Sequence, residues 1–256
     1  MEIKFLGAHN VQSAEVAFTC VLIDNIITVD AGSLVQALTF EEMKKLKAIL
    51  LTHGHFDHVR DIPAIGMAMA QMKQSLDVYG SQAVNDTLMA YMLNENIYID
   101  FTKRPEKEPA FRLHIIEAGK AENVSGYEVL PVKVEHSKPA TGYQVTSPEG
   151  KKVFVTSDTG PNLAETWKQI KPDLLVTETT APSSEDEFAR KAGHLTPKLL
   201  QQELESFKSI HNYLPRVAVI HMTPLQEQEI REELKAVEKA LRIKITVVKE
   251  GMKIKL

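Results

Sequence analysis

Thr52-His53-Gly54-His55-Phe56-Asp57-His58 is the stretch on which the reading of this chain turns. Three imidazoles and one carboxylate fall within six residues. They directly follow residues 46–52, LKAILLT, an apolar run that reads as a short buried strand. Imidazole and carboxylate are the ligands that borderline divalent cations such as zinc prefer. On an extended turn the side chains of His53 and His55 point the same way, because alternation has a period of two. Gly54 lets the backbone bend tightly between them. Asp57 and His58 then fall at the start of the next segment, where they can face a second ion. A solvated, histidine-rich loop is the bland alternative, and it does not account for so dense a set of ligand types.

A metal site needs ligands from elsewhere in the chain. Three candidates cap other apolar strands: His136 after residues 129–134, Asp158 after VFVTS at 153–157, and His221 after VAVI at 217–220. Any one of them alone reads equally well as structural. With the His53–His58 cluster they supply a full set for two metals.

The surrounding pattern supplies the scaffold. Strands are expected at residues 17–24, 25–30, 46–52, 76–79, 127–134, 141–146, 152–157, 173–177 and 216–220. Helices are expected at 60–74, 81–93, 163–170, 197–207 and 225–241. Residues 243–248 and 252–256 read as a terminal hairpin turning at Glu250-Gly251. Residues 94–110, broken by Pro105 and Pro109, are the least regular part. Strands and then helices, twice over, imply two β-rich halves with helices outside: an α/β (α+β) four-layer sandwich. No linker divides it, so residues 1–256 are expected to form a single domain.

Composition narrows the function classes. The chain has 256 residues, 43% of them hydrophobic and 25% charged, which excludes disorder and fibrous architectures. No run approaches the roughly 20 apolar residues of a membrane span, so no membrane partner is expected. The first residues alternate like a strand rather than like a signal peptide. The single cysteine, Cys20, excludes an intrachain disulfide and reads as a small buried apolar residue, so a reducing, cytoplasmic setting is expected. A net charge of −4 weighs against a protein devoted to gripping nucleic acid. Oligomeric state is not written here; a homodimer is the commonest closed assembly.

The motif His53-Gly-His55-Phe-Asp57-His58, followed by His136, Asp158 and His221, resembles the metallo-β-lactamase superfamily over almost the whole chain. That resemblance implies an αββα sandwich with a two-metal site at one edge of the sheets. It implies that His53, His55 and His136 hold one metal, that Asp57, His58 and His221 hold the other, and that Asp158 bridges both. Zinc is the expected ion, with manganese or iron permitted by the same ligands. The second half is similar to the phosphodiesterase branch: Ser157-Asp-Thr-Gly-Pro161, Thr177-Glu-Thr-Thr180, Gly193-His-Leu-Thr-Pro197 and Ile220-His-Met-Thr-Pro224. That branch includes RNase Z and the class II 3′,5′-cyclic-nucleotide phosphodiesterases. Its His-Leu-Thr or His-Ser-Thr element is lacking in β-lactamases and glyoxalase II enzymes. Gly-His-Leu-Thr-Pro, Asp-Thr-Gly-Pro and Asp30-Ala31-Gly32-Ser33 resemble the cyclic phosphodiesterases more closely.

The expected activity is metal-dependent hydrolysis of a phosphodiester by a hydroxide bridging the two ions, with a 3′,5′-cyclic nucleotide as the expected substrate. Two divalent ions about 3.5–4 Å apart lower the pKa of a shared water towards neutrality. The alkoxide leaving group needs a proton, and His194 is the candidate general acid. Glu178 would hold its other ring nitrogen and raise its pKa. Thr196, before Pro197, reads as a helix N-cap, which explains Thr196 but not His194. Asp57 could also accept a hydrogen bond from the nucleophilic water.

Other readings compete. An RNase Z-type tRNA endonuclease would want an inserted clamp, and residues 94–110 are short and mixed in charge. A non-catalytic scaffold would not need all seven ligands and His194. An esterase, lactonase or β-lactamase leaves Glu178 and His194 unexplained. His9 reads as structural, His114 as solvent-facing and His211 as a surface-loop residue. Met67, Met69 and Met72 read as core packing. Ser137, Thr141 and Tyr143, which follow His136, are weak candidates for touching phosphate or base.

Overall fold

A computed structural model describes all residues, 1–256. Two seven-stranded sheets pack face to face, each covered by helices on its outer side. The first contains β1 (Glu2–Gly7), β2 (Cys20–Ile23), β3 (Ile27–Val29), β4 (Ala48–Leu50), β5 (Leu76–Gly80) and β6 (Phe111–Ile115) in spatial order. Outside this sheet lie α1 (Leu34–Ala37), α2 (Phe40–Met43), α3 (Phe56–Val59), α4 (Ile62–Met72) and α5 (Gln82–Tyr91). The second sheet contains β7 (Glu122–Val124), β8 (Tyr127–Val134), β9 (Ala140–Thr146), β10 (Lys152–Val155), β11 (Leu174–Glu178), β12 (Arg216–Ile220) and β13 (Ile245–Val247). It is covered by α6 (Ala164–Trp167), α7 (Asp186–Ala192), α8 (Pro197–His211) and α9 (Glu227–Leu241). The last strand, β14 (Lys253–Lys255), returns to the first sheet and pairs antiparallel with β1.

Period-two alternation divides the apolar residues among three cores. In β4, Ala48 and Leu50 face the sister sheet, while Ile49 faces the helices. In β10, Val153 and Val155 face inward, and Phe154 packs outward with Trp167 and Phe207. Strands buried on both faces need nearly continuous hydrophobic runs, which is why 46–52 and 217–220 are so apolar. β3 through β6 run parallel, as do β10 through β13. The carboxyl ends of these strands gather at one edge, where open α/β sheets bind ligands.

The expected terminal hairpin does not form. β13 pairs parallel with β12 in the second sheet, whereas β14 pairs with β1 in the first. Glu250-Gly251 is therefore a crossing between sheets, fastened by Gly251 N–H donating to Phe5 O (2.7 Å) and Phe5 N–H donating to Met252 O (3.0 Å). A local hairpin would have left the outer edges of β1 and β12 unpaired. The helix expected at 60–74 is α4, and the short α3 precedes it inside the histidine motif. Thr196 caps α8 by accepting from Leu199 N–H. α8 runs on to His211, which is thus helical and donates from Nε2 to Trp167 O (2.7 Å) rather than sitting in a surface loop. β7 and α7 carry too little periodicity to be read from sequence. His114, in β6, is half-exposed but stacks on Tyr79 and donates to Asp77.

His9 ties the crossing to the site edge. It is buried, with Nδ1 2.7 Å from Glu250 Oε1 and Nε2 3.2 Å from Glu227 Oε2. Arg231 also grips Glu227. Burial opposes charge on His9, but the two carboxylates outweigh it and raise the pKa. A group with a raised folded pKa stabilises fully below its unfolded value and loses that contribution as pH rises through the folded value. Wild type should therefore exceed His9→Gln by about 1–3 kcal/mol in urea melts at about pH 6 with chelator present, and the gap should narrow by about pH 9. A constant gap would show that neutral His9 suffices.

Candidate metal centre

Every predicted ligand lies just past the end of a strand on this one edge. His53 and His55 follow β4, and Asp57 and His58 lie on α3. His136 follows β8, Asp158 follows β10 and His221 follows β12. Asp158 is buried between two groups of imidazoles.

In the first group, His55 Nδ1 lies 3.0 Å from His53 Nε2 and 3.2 Å from His136 Nε2. Asp158 Oδ2 lies 3.6 Å from His53 Nε2 and 4.0 Å from His136 Nε2. In the second, His58 Nε2 is 3.4 Å from Asp57 Oδ2 and 3.2 Å from Asp158 Oδ1. His221 Nε2 is 3.2 Å from each of the same two oxygens. Donors at metal-bond lengths of about 2.0–2.1 Å around a tetrahedral ion lie about 3.4 Å apart, so both groups have the spacing of a coordination sphere. His58 Nε2 and Asp158 Oδ1 are buried without a hydrogen bond, as expected of atoms meant for an ion. The residues present therefore fit two divalent cations, with Asp158 offering one oxygen to each.

Electrostatics agree with this donor set. Burial lowers the pKa values of His53, His55 and His136 and keeps them as neutral, ligating imidazoles. Burial works against ionising Asp57 and Asp158, but the neighbouring histidines hold both below the usual carboxylate range. Burial also opposes charge on His58, yet Asp158 and Asp30 push it well up. A proton there occupies the place of a cation, so metal binding releases it.

The far ring nitrogens are fixed by groups that lie in the motifs but whose roles the motifs do not show. Asp30 accepts from His58 Nδ1–H (2.7 Å), from Thr52 N–H (2.9 Å) and from the Thr52 hydroxyl (2.8 Å). Thr52 Oγ1 in turn accepts from His53 Nδ1–H (3.1 Å), so one buried carboxylate orients ligands of both groups. His136 Nδ1–H donates to Gly193 O (2.8 Å). Gly193 has φ +79°, and a Cβ there would stand 2.7 Å from His136 Cα, so only glycine fits. His221 Nδ1–H donates to Thr180 Oγ1 (2.9 Å), and the Thr180 hydroxyl donates to Glu178 Oε2 (2.6 Å). Asp30, Ser157 and His221 all hold positive φ, a strained conformation for such residues and a common mark of functional sites. A buried aspartate ending a short apolar strand was the available signal for Asp30. Nothing local showed the role of Thr180.

His194 stands beside the second group, its ring stacked on His221 at 5.5 Å. Nδ1 is 2.6 Å from Glu178 Oε1, and Glu178 is fully buried. Burial disfavours its charge, but the Glu178 carboxylate prevails and raises its pKa to about 9. Glu178 is itself held by Thr159 N–H (2.9 Å) and Leu195 N–H (3.1 Å). Ser137 borders a small cavity beside His136. Thr141 and Tyr143 do not face the site: both are buried in β9, and the Tyr143 hydroxyl donates to Leu51 O (2.8 Å). Met69 is buried and Met67 and Met72 are partly buried in the core beneath α4.

This edge constellation on an αββα sandwich is the metallo-β-lactamase arrangement. The family model for the β-lactamase superfamily domain matches residues 19–240, and the chain belongs to that family. Its fold is similar to that of unliganded yeast PDE1 (TM-score 0.83, 18% identity, 100% of this chain and 99% of that one). It is also similar to the short form of human tRNase Z (TM-score 0.72, 18% identity, 100% and 99%). Ribonuclease Z of Thermococcus kodakarensis is 30% identical over 124 residues, 46% of this chain and 36% of that protein. Ribonuclease Z of Pyrococcus horikoshii is 30% identical over 103 residues, 39% and 30% respectively. The chain thus spans about a third of the length of the curated relatives it matches. Family and donor clusters together indicate a metal-dependent hydrolase. No helix is long and apolar enough to cross a membrane.

Zinc or manganese should raise the melting temperature of chelator-treated protein, and Asp158→Ala should abolish that rise. Asp30→Asn should weaken metal affinity about ten- to a hundredfold in competition with a chromophoric chelator. Unchanged affinity would remove Asp30 from the support of the site.

Proposed function

We propose that the chain is a dinuclear metal-dependent phosphodiesterase acting on a small phosphodiester, with 3′,5′-cyclic nucleotides as the first substrate class. The observation that carries this reading is the His194–Glu178 pair beside two preformed donor groups. His53, His55 and His136 would hold one cation, Asp57, His58 and His221 the other, and Asp158 both. Such ions supply Lewis acidity, which acidifies water and neutralises charge on phosphoryl oxygens.

The chain's own residues supply the rest. Glu178 accepts a hydrogen bond from His194 Nδ1–H, which leaves Nε2 free for the substrate and favours the protonated ring. His194 can then deliver the Nε2 proton to a departing alkoxide, which is a poor leaving group without it. Asp57 is 22% exposed at its side chain, so it can also take a hydrogen bond from an entering water. Thr180 links the two functions: it accepts from His221 and donates to the carboxylate that orients His194. The free, buried Cys20 supports assignment to a reducing, cytoplasmic compartment.

A second reading is tRNA 3′-processing, favoured by the local identity to archaeal ribonuclease Z. Against it, the one candidate insert, residues 94–110, is short and mixed in charge, and the net charge of −4 suits a polyanion poorly.

Hydrolysis of 3′,5′-cyclic AMP by zinc- or manganese-reconstituted protein tests the proposal. Turnover should depend on metal and fall about a hundredfold or more in His194→Ala with metal content unchanged. A fully loaded protein that leaves cyclic nucleotides intact but cleaves precursor tRNA would replace the first reading with the second.

A further inference from the structure

Beside the metal centre lies a cavity of about 440 Å³ that the chemistry above does not use. This volume falls within the range of roughly 300–1,000 Å³ for small-ligand pockets. One wall is the motif itself, at Gly54 and His55. A second is α5, where Thr87 and Tyr91 follow one another at helical i, i+4 spacing and so share a face. The third is the loop after β8, where Lys138 and Pro139 come just after the candidate ligand His136.

The close fit of α5 to the motif fixes this geometry. A Cβ on Gly54 would stand 3.0 Å from Thr87 Cγ2, tighter than most real contacts. Glycine is present because α5 presses on the backbone between two ligands, not because the turn needs a left-handed residue. Tyr91, one helical turn beyond Thr87, also lines the cavity and is 71% exposed. An aromatic face left so open, with an exposed lysine across the gap and a metal ligand on the floor, is an arrangement that recognises a flat aromatic group attached to a phosphate.

We propose that this cavity receives the nucleobase of the substrate, with Tyr91 as the stacking surface and Lys138 directed at the phosphate. The proposal rests on the phosphodiesterase reading and specifies its substrate class as nucleotide rather than any other diester.

Calorimetric titration of the zinc-reconstituted protein with 5′-AMP and with ribose 5-phosphate tests it, because the two probes differ only in the base. The expected result is tighter binding of AMP, with Tyr91→Ala weakening AMP by about tenfold and ribose 5-phosphate far less. Tyr91→Phe should restore AMP binding, since stacking needs the ring and not the hydroxyl. Equal affinity for AMP and ribose 5-phosphate, or an AMP affinity indifferent to Tyr91→Ala, would overturn the base pocket and leave the phosphodiesterase reading intact. Failure of both probes to bind, with no phosphodiester hydrolysed, would overturn the phosphodiesterase reading and the pocket with it.

Discussion

A buried carboxylate among buried imidazoles is the constraint around which this molecule is organised. Asp158 has almost no solvent exposure, and each of its oxygens faces a different set of ring nitrogens. Isolated charge in such a place is costly, so the surroundings must offer compensating cations or protons. The strands that deliver these groups must end in register. β4 lies in one sheet, and β8, β10 and β12 lie in the other. The sandwich therefore has to hold its two sheets at a fixed offset, and the inner core of 23 side chains does so.

Around this centre the hydrogen bonds form two small networks. Asp30 serves His58 directly and His53 through Thr52, so ligands of both donor groups share one anchor. Glu178 serves His194 directly and His221 through Thr180. Each network lets the protein set a tautomer without spending the nitrogen that faces the centre. Left-handed backbone at Asp30, Ser157 and His221 shows that these positions are held against local preference.

How much of this was legible in the sequence depended on whether the signal was local. The histidine motif could be read because its ligands lie within one turn of chain. His136, Asp158 and His221 could be read because each closes an apolar strand, and resemblance then assigned their grouping, which the donor spacings match. The terminal hairpin was misread because alternation reveals a strand but not its partner. β13 and β14 look like neighbours along the chain, and long-range edges claimed them instead. Apolar spacing marks α8 firmly only to Phe207, whereas the helix runs on through Ile210, which packs on the core, to His211. Thr180 stands inside the Thr177-Glu-Thr-Thr180 motif, but its role does not show there, because one of its two partners lies 41 residues away. Thr141 and Tyr143 are only weak candidates by their nearness to His136 in sequence, and both are buried in β9.

The crossing at Glu250-Gly251 also sets an order of events in time. β1 is made before its outer partner β14, and Lys253 reaches Glu2 across 251 residues of chain. During synthesis the outer edge of β1 stays unpaired until β14 has emerged. An open strand edge is an invitation to pair with another molecule. Lys4 lies along that edge and Lys253 and Lys255 along its partner, with Glu2 opposite Lys255 in the register. Charge of this kind suits the edge to wait in water, so the residues that later form the seam also guard it while it is open.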